Sequence, residues 1–238
     1  RPLTLNWENE NVPAILDVWF AGSEAGDAIA DALLGKVNPS GKLSMSFPQN
    51  VGQIPLYYNH KNTGRPLADG KWFEKFRSNY LDVSNDPVYP FGYGLSYTNF
   101  SYSNLKLSST DFKGKITATV DITNTGKTAG KEVVQLYLAA PAVKLNKPAQ
   151  ELKGFAKTNL LQPGQKQTIS FMINAADLAS FDTNSTSWVA EAGKYEVKIG
   201  ASSAAIKQSA SFKLAKAVVV EKCNKVLVPQ VSINELKN

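Results

Sequence analysis

The sequence predicts an α/β fragment followed by an all-β sandwich of fibronectin type III or immunoglobulin-like character. Three observations carry that expectation. The first 48 residues follow a strand–helix–strand pattern, four alternating segments fall between residues 115 and 199, and Gly- or Pro-containing turns punctuate them.

Pro13 to Phe20 (PAILDVWF) reads as a buried strand. Gly22 to Gly35 (GSEAGDAIADALLG) reads as a helix, because Ala25, Ala28, Ile29, Ala32 and Leu33 fall on one stripe at i, i+3, i+4, i+7 and i+8. Gly22 or Ser23 is suited to cap its start, Glu24 and Asp27 suit the positive N-terminus, and Gly35 suits the left-handed position past the end. Asn38 to Pro48 (NPSGKLSMSFP) reads as a turn and a second strand. Residues 1–48 thus read as the C-terminal piece of a layered α/β domain. Such a unit cannot bury both faces alone. With twelve residues before Pro13 and Arg1 in place of an initiator Met, the chain is expected to be part of something larger.

Residues 49–98 show no sustained period, yet hold ten of the 24 aromatic residues, which a flexible Gly/Ser linker would lack. We expect an ordered strap laid across a protein surface. Residues 99–215 carry the sandwich. Lys115–Thr123 places Ile116, Ala118, Val120 and Ile122 on one face, and Glu132–Leu138, Gln167–Ile173 and Lys194–Ile199 repeat the alternation. No Cys–Trp–Cys framework is present, which argues against a true immunoglobulin domain. Residues 216–238 form a tail with two β-branched runs, Ala217–Val220 and Val226–Val231, too apolar to stay free.

Composition narrows the function. The chain is 43% hydrophobic and 19% charged, an ordinary globular mixture with no run long enough to span a membrane. The net charge of +6 does not point to nucleic acid: only three of the 26 basic residues are Arg (Arg1, Arg65, Arg77), and the lysines are scattered. A single cysteine, Cys223, excludes an internal disulfide, and a single histidine, His60, leaves no second ligand or triad partner for metal or Ser–His chemistry.

Glu24, Asp27 and Asp31 share a helix face, where they read as a solvated surface opposite the alanine stripe or as a general acid with a partner. Glu24 stands out because it follows the C-terminal end of the expected strand, where ligands gather in open α/β sheets. His60, Lys61, Thr63 and Arg65 form a polar cluster (NHKNTGRP) that reads either as a substrate rim beside Tyr57 and Tyr58 or as interdomain glue through Arg65. Phe91-Gly92-Tyr93-Gly94 is a tight turn with aromatic anchors, since no helix follows to cradle a phosphate. Asn99-Phe100-Ser101 and Asn184-Ser185-Thr186 fit the glycosylation triplet, a pattern common by chance.

Several stretches taken together resemble glycoside hydrolase family 3, in particular the C-terminal part of the periplasmic β-glucosidases. They are RPLTLNW, WFAGSEAGDAIADALLGKVNPSGKLSMSFP, GQIPLYYNHKNTGRP, YPFGYGLSYTNF, NTGKTAGKEVVQLYL, ELKGFAKTNLLQPGQKQTISF and GKYEVKIGASS, in order over residues 1–214. The resemblance implies a complete protein with an N-terminal barrel carrying a nucleophilic aspartate, an α/β sandwich domain contributing the acid/base, and a closing fibronectin type III-like domain. It implies a retaining, exo-acting enzyme on a β-glucoside or oligosaccharide, needing no cofactor and no metal, in the periplasm or secreted. Both catalytic carboxylates are expected upstream of Arg1, so no catalytic residue is assigned here, and Glu24, His60 and Arg65 are the substrate-rim candidates. The expected partners are the N-terminal domains of the same protein. The competing reading is a non-catalytic sandwich module that binds polysaccharide or a protein, but its strand segments offer mostly Ile, Val and Leu, with Tyr137 and Tyr195 single.

Overall fold

A computed structural model describes residues 1–67, 71–224, 226, 227, 229 and 231. The chain folds as a small helical N-terminal region, a long irregular strap, and a sandwich of antiparallel sheets. The helices α1 (Asn6–Asn11) and α2 (Ala25–Leu33) come first, followed by a 3-10 turn at Val51–Gln53. Strand β1 (Phe100–Leu107) pairs with β2 (Lys115–Asn124), which pairs with β5 (Lys166–Asn174). The facing sheet runs in the order β4 (Glu151–Lys157), β3 (Val133–Ala139), β8 (Gly193–Gly200), β9 (Ile206–Leu214). A third sheet, entered through the short helix α3 (Ala175–Leu178), joins β6 (Ser180–Asp182), β7 (Ser187–Ala190) and β10 (Val218–Lys222).

Alternation explains the core. In β2, residues Ile116, Ala118, Val120 and Ile122 all point inward and are buried. They meet Ile169, Phe171 and Ile173 from β5, and Val134, Leu136, Leu138, Val197 and Ile199 from the facing sheet. Tyr195 stacks on Phe212 with centroids 5.4 Å apart. Asn124 closes one end: fully buried, its amide donates to the Thr128 and Leu161 carbonyls while its Oδ1 accepts from Thr98. The run Ala217–Val220 enters β10, which pairs antiparallel with β7. Part of the second run, Val226–Val231, lies outside the described residues, and Val226, Leu227 and Val231 are exposed.

The N-terminal region departs from expectation in three respects. Pro13–Phe20 is not a buried strand; no described segment runs beside it, and without a ladder the exposed chain stays irregular. Asn38–Pro48 is not a strand either. It touches the strap through the Phe47–Tyr89 bridge, through Leu43, which bonds Tyr93 and Gly92, through Lys42, which donates to Gly94, and through Asn38, whose Oδ1 accepts from Ser96 and Tyr97. Neither Gly22 nor Ser23 caps the helix: both are taken up in a turn closed by Ala25 N–H to the Gly22 carbonyl, and the N-cap position falls on Glu24, whose side chain makes no cap bond. Gly35 does take the left-handed conformation past α2, with φ +73°.

Candidate functional site

The strap reaches the sandwich on the outer face of the four-stranded sheet. Alternation along β3 turns Gln135 and Tyr137 away from the core, yet both are buried, because the strap covers them. Tyr58 stacks on Phe91 (4.3 Å, 15°), packs edge-on against Tyr137 (5.9 Å), and accepts a hydrogen bond from Leu152 N–H at 2.9 Å. Burial raises the Tyr58 phenol above its ordinary value; the Leu152 bond opposes that, and nearby Glu151 adds to it. Gln135 donates to the Gly92 and Ala201 carbonyls at 3.0 and 2.8 Å and accepts from the Tyr137 hydroxyl at 2.6 Å. Gly92 has φ +80°, and a Cβ there would collide with the Gln135 amide.

The same junction grips α2. Tyr97 donates to the Ala32 carbonyl (2.9 Å), Asn38 donates to the Ala129 carbonyl (2.9 Å), and Lys42 pairs with Glu132 at 2.9 Å, their side chains 12% and 8% exposed. Lys42 also donates to the Gly94 carbonyl. Contacts joining the N-terminal region and the strap to the sandwich thus run through Lys42, Asn38, Tyr58 and Tyr97. Arg65, the residue considered for that role, is exposed, and its side chain bonds no described residue.

Between strap and sandwich lies a groove of about 170 Å³, lined by Ser46, Leu56, Tyr57, Tyr58, His60, Asn85, Asp86, Pro87, Pro90, Gln150, Ser203 and Ala204. A larger depression of about 460 Å³ beside α1, lined by Thr4, Trp7, Glu8 and Gln49 among others, is more open and backed by a helix with no buried residue. Of the three rim candidates, His60 alone lines the groove. Glu24 stands exposed at the start of α2 and Arg65 lies exposed in the strap. Asp31 pairs with Lys36 at 3.2 Å, as a solvated helix face would. Asn85, Asp86 and Gln150 carried no sequence signal of their own; they reach the groove because the chain brings residues 60, 86 and 150 together. Among the described residues no cluster of three or more His, Cys, Asp or Glu is arranged to hold a metal ion.

Elsewhere, electrostatics serves structure. Burial would raise the Glu191 carboxyl, but Lys147 at 2.9 Å and the Lys144 and Leu145 N–H groups outweigh it, leaving the group below its usual range. Asp121 falls to about 2 through bonds from Thr168, Asn104 and Lys166. Tyr137 and Tyr195, the two aromatics a sugar-binding sheet face would have used, are fully buried. Sequence reasoning overlooked the exposed cross-strand pair Phe181 and Trp188, whose rings meet edge-on at 5.6 Å.

Comparison with known proteins gives this geometry a context. The model of the glycosyl hydrolase family 3 C-terminal domain matches residues 1–97, and that of a fibronectin type III-like domain matches residues 132–203. The chain is 50% identical over 216 residues to the periplasmic beta-glucosidase of Salmonella typhimurium, covering 90% of this chain and 28% of that protein. It is 40% identical over 209 residues to a beta-xylosidase of Formosa agariphila, covering 86% and 27% respectively. A solved beta-glucosidase from Listeria innocua, in complex with isofagomine, superposes with a TM-score of 0.84 at 40% identity, over 90% of this chain and 30% of that one. The chain thus spans 27–28% of the length of these two curated relatives.

Proposed function

The chain belongs to glycosyl hydrolase family 3, whose C-terminal domain it carries ahead of a fibronectin type III-like domain, and on that premise we propose that it is the C-terminal portion of a retaining, exo-acting β-glycosidase of the β-glucosidase type. The complete protein removes terminal non-reducing β-D-glucosyl residues, with xylosides as the nearest alternative substrate. An aspartate nucleophile and a glutamate acid/base, supplied by an N-terminal part, act on opposite sides of the scissile bond through a covalent glycosyl intermediate. Such chemistry needs no cofactor. The protein works in the periplasm or is secreted, as the description of the Salmonella relative suggests.

The observation that carries this reading is the apolar surface of residues 12–37. Ile15, Leu16, Val18, Trp19, Phe20, Leu33, Leu34 and Val37 are all exposed, Phe20 by 97%. An exposed apolar patch of this kind marks a surface made to be covered, and the strand expected over Pro13–Phe20 has no described neighbour to pair with. The remainder of the α/β domain supplies both. In this arrangement residues 1–48 complete a catalytic domain, the sandwich buttresses it through the strap, and Glu24, His60 and Arg65 stand toward the substrate rim.

The test is division of labour on an aryl β-D-glucoside. The complete protein hydrolyses it, the 238-residue chain alone does not, and adding the separately produced N-terminal portion restores turnover. Substantial hydrolysis by the 238 residues alone would overturn the proposal.

A further inference from the structure

We infer that the groove between strap and sandwich binds one neutral hexopyranose unit. Four of its polar side chains are each tied down at one end and free at the other. Asn85 donates its amide to the Ser78 carbonyl (2.8 Å), Asp86 accepts from Ser84 Oγ on one carboxylate oxygen (3.2 Å), Gln150 donates to the Ser203 carbonyl (2.7 Å), and His60 Nδ1 lies 3.4 Å from the Lys61 carbonyl. That leaves Asn85 Oδ1, Asp86 Oδ1, Gln150 Oε1 and His60 Nε2 without partners among the described residues. Three acceptors and an imidazole, already oriented, suit a ligand rich in hydroxyl donors.

The rest of the lining selects among such ligands. Leu56, Tyr57, Pro87 and Pro90 offer flat apolar surface for the C–H faces of a ring. The Tyr58 wall is fixed by its stack on Phe91 and its bond from Leu152, so the shape is present before a ligand arrives. About 170 Å³ suits one sugar ring and falls short of the ~300–1,000 Å³ of drug-sized pockets. An anion is disfavoured, because Asp86 lines the groove and no Lys or Arg does. A purely apolar ligand would strip water from four polar atoms and return nothing. The choice of a sugar over another neutral polyol rests on the glycosidase reading; the concave polar site does not.

His60 is the only histidine of the 238-residue chain, so its imidazole C–H resonances report on this groove alone. Titrating the 238-residue chain with D-glucose at constant pH should move them saturably in the millimolar range, whereas the acyclic polyol D-mannitol should not saturate. Asp86→Asn and Gln150→Ala should each weaken D-glucose by about tenfold, with the dispersed methyl spectrum unchanged. Asp86 is exposed, so its variant keeps the test valid if the Gln150 variant fails to fold. Absence of a saturable shift, or unaltered affinity in the folded Asp86 variant, overturns the inference. Saturation by mannitol with equal affinity overturns the ring preference. Hydrolysis by the complete protein is measured separately, so a silent groove leaves the glycosidase reading standing, and an inactive complete protein leaves the groove to be judged by its own titration.

Discussion

A double-mutant cycle on Gly92 and Gln135 tests whether the strap is locked to the sandwich as described. Gln135 is 3% exposed and makes three hydrogen bonds, one of them to the fully buried Tyr137 hydroxyl. Gln135→Ala strands that hydroxyl, at ~1–3 kcal/mol, and forfeits two further bonds at ~0.5–1.5 kcal/mol each, for about 2–6 kcal/mol in all. Gly92→Ala places a side chain in the left-handed region, which costs ~1–2 kcal/mol, and also drives a Cβ into the Gln135 amide, breaking the same three bonds. Alone it should cost about 3–8 kcal/mol. In the double variant the obstructing amide is gone, so only the left-handed penalty adds to the Gln135 loss. The expected total is then about 3–8 kcal/mol against a sum of about 5–14, a coupling of about 2–6 kcal/mol that equals the loss of the shared bonds. Urea unfolding followed by far-UV circular dichroism, with the slope checked for constancy, reads these differences. Additivity within ~0.5 kcal/mol would refute the shared-network account.

Three further outcomes follow from the same geometry. Lys42→Met should destabilise by up to ~3–5 kcal/mol, since it leaves Glu132 charged and shielded from water, whereas Lys42→Met with Glu132→Leu should recover much of the loss by thermal or urea unfolding. Tyr58→Phe should cost about 1 kcal/mol for the Leu152 bond, and Tyr58→Ala about 3 kcal/mol or more once the Phe91 stack is lost; equal values would show that the stack contributes nothing. The carboxyls of Asp121 and Glu191 are lowered in the folded state, so their stabilisation is present above the ordinary carboxylate range and disappears as pH falls through the folded values, about 2 for Asp121. Asp121→Asn and Glu191→Gln should therefore flatten the acid limb of a stability–pH profile, and an unchanged limb would contradict the assignment.

Strands are legible in the sequence where alternation is strict. The four expected segments appear as β2, β3, β5 and β8: β2, β5 and β8 bury alternate side chains, and β3 keeps the same alternation in sequence although the strap hides its outer face as well. Strand β1 escapes because its ladder slips between Ser103 and Lys106, where Asn104 adopts φ +56°. Strand β4 escapes for a different reason: none of its residues is fully buried, so no period shows. At Pro13–Phe20 the apolar run is a sound guide to composition and a false guide to structure, since a strand requires a neighbour that local sequence does not specify. The groove shows the same limit. His60 stands out as the only histidine, while Asp86 and Gln150 become relevant through folding that brings residues far apart in sequence onto one surface.

Tyr137 and Gln135 point away from the sandwich core and are nevertheless hidden. The four-stranded sheet therefore has a third layer, made from the segment that precedes it. A shortened protein beginning at residue 99 would keep every sandwich strand, yet it would open a wet aromatic scar where Tyr58 and Phe91 had lain. Such a piece should be sticky and poorly behaved. Grafting this module onto another enzyme would succeed only if the strap were carried across with it, so the heritable unit here is a sheet together with its cover.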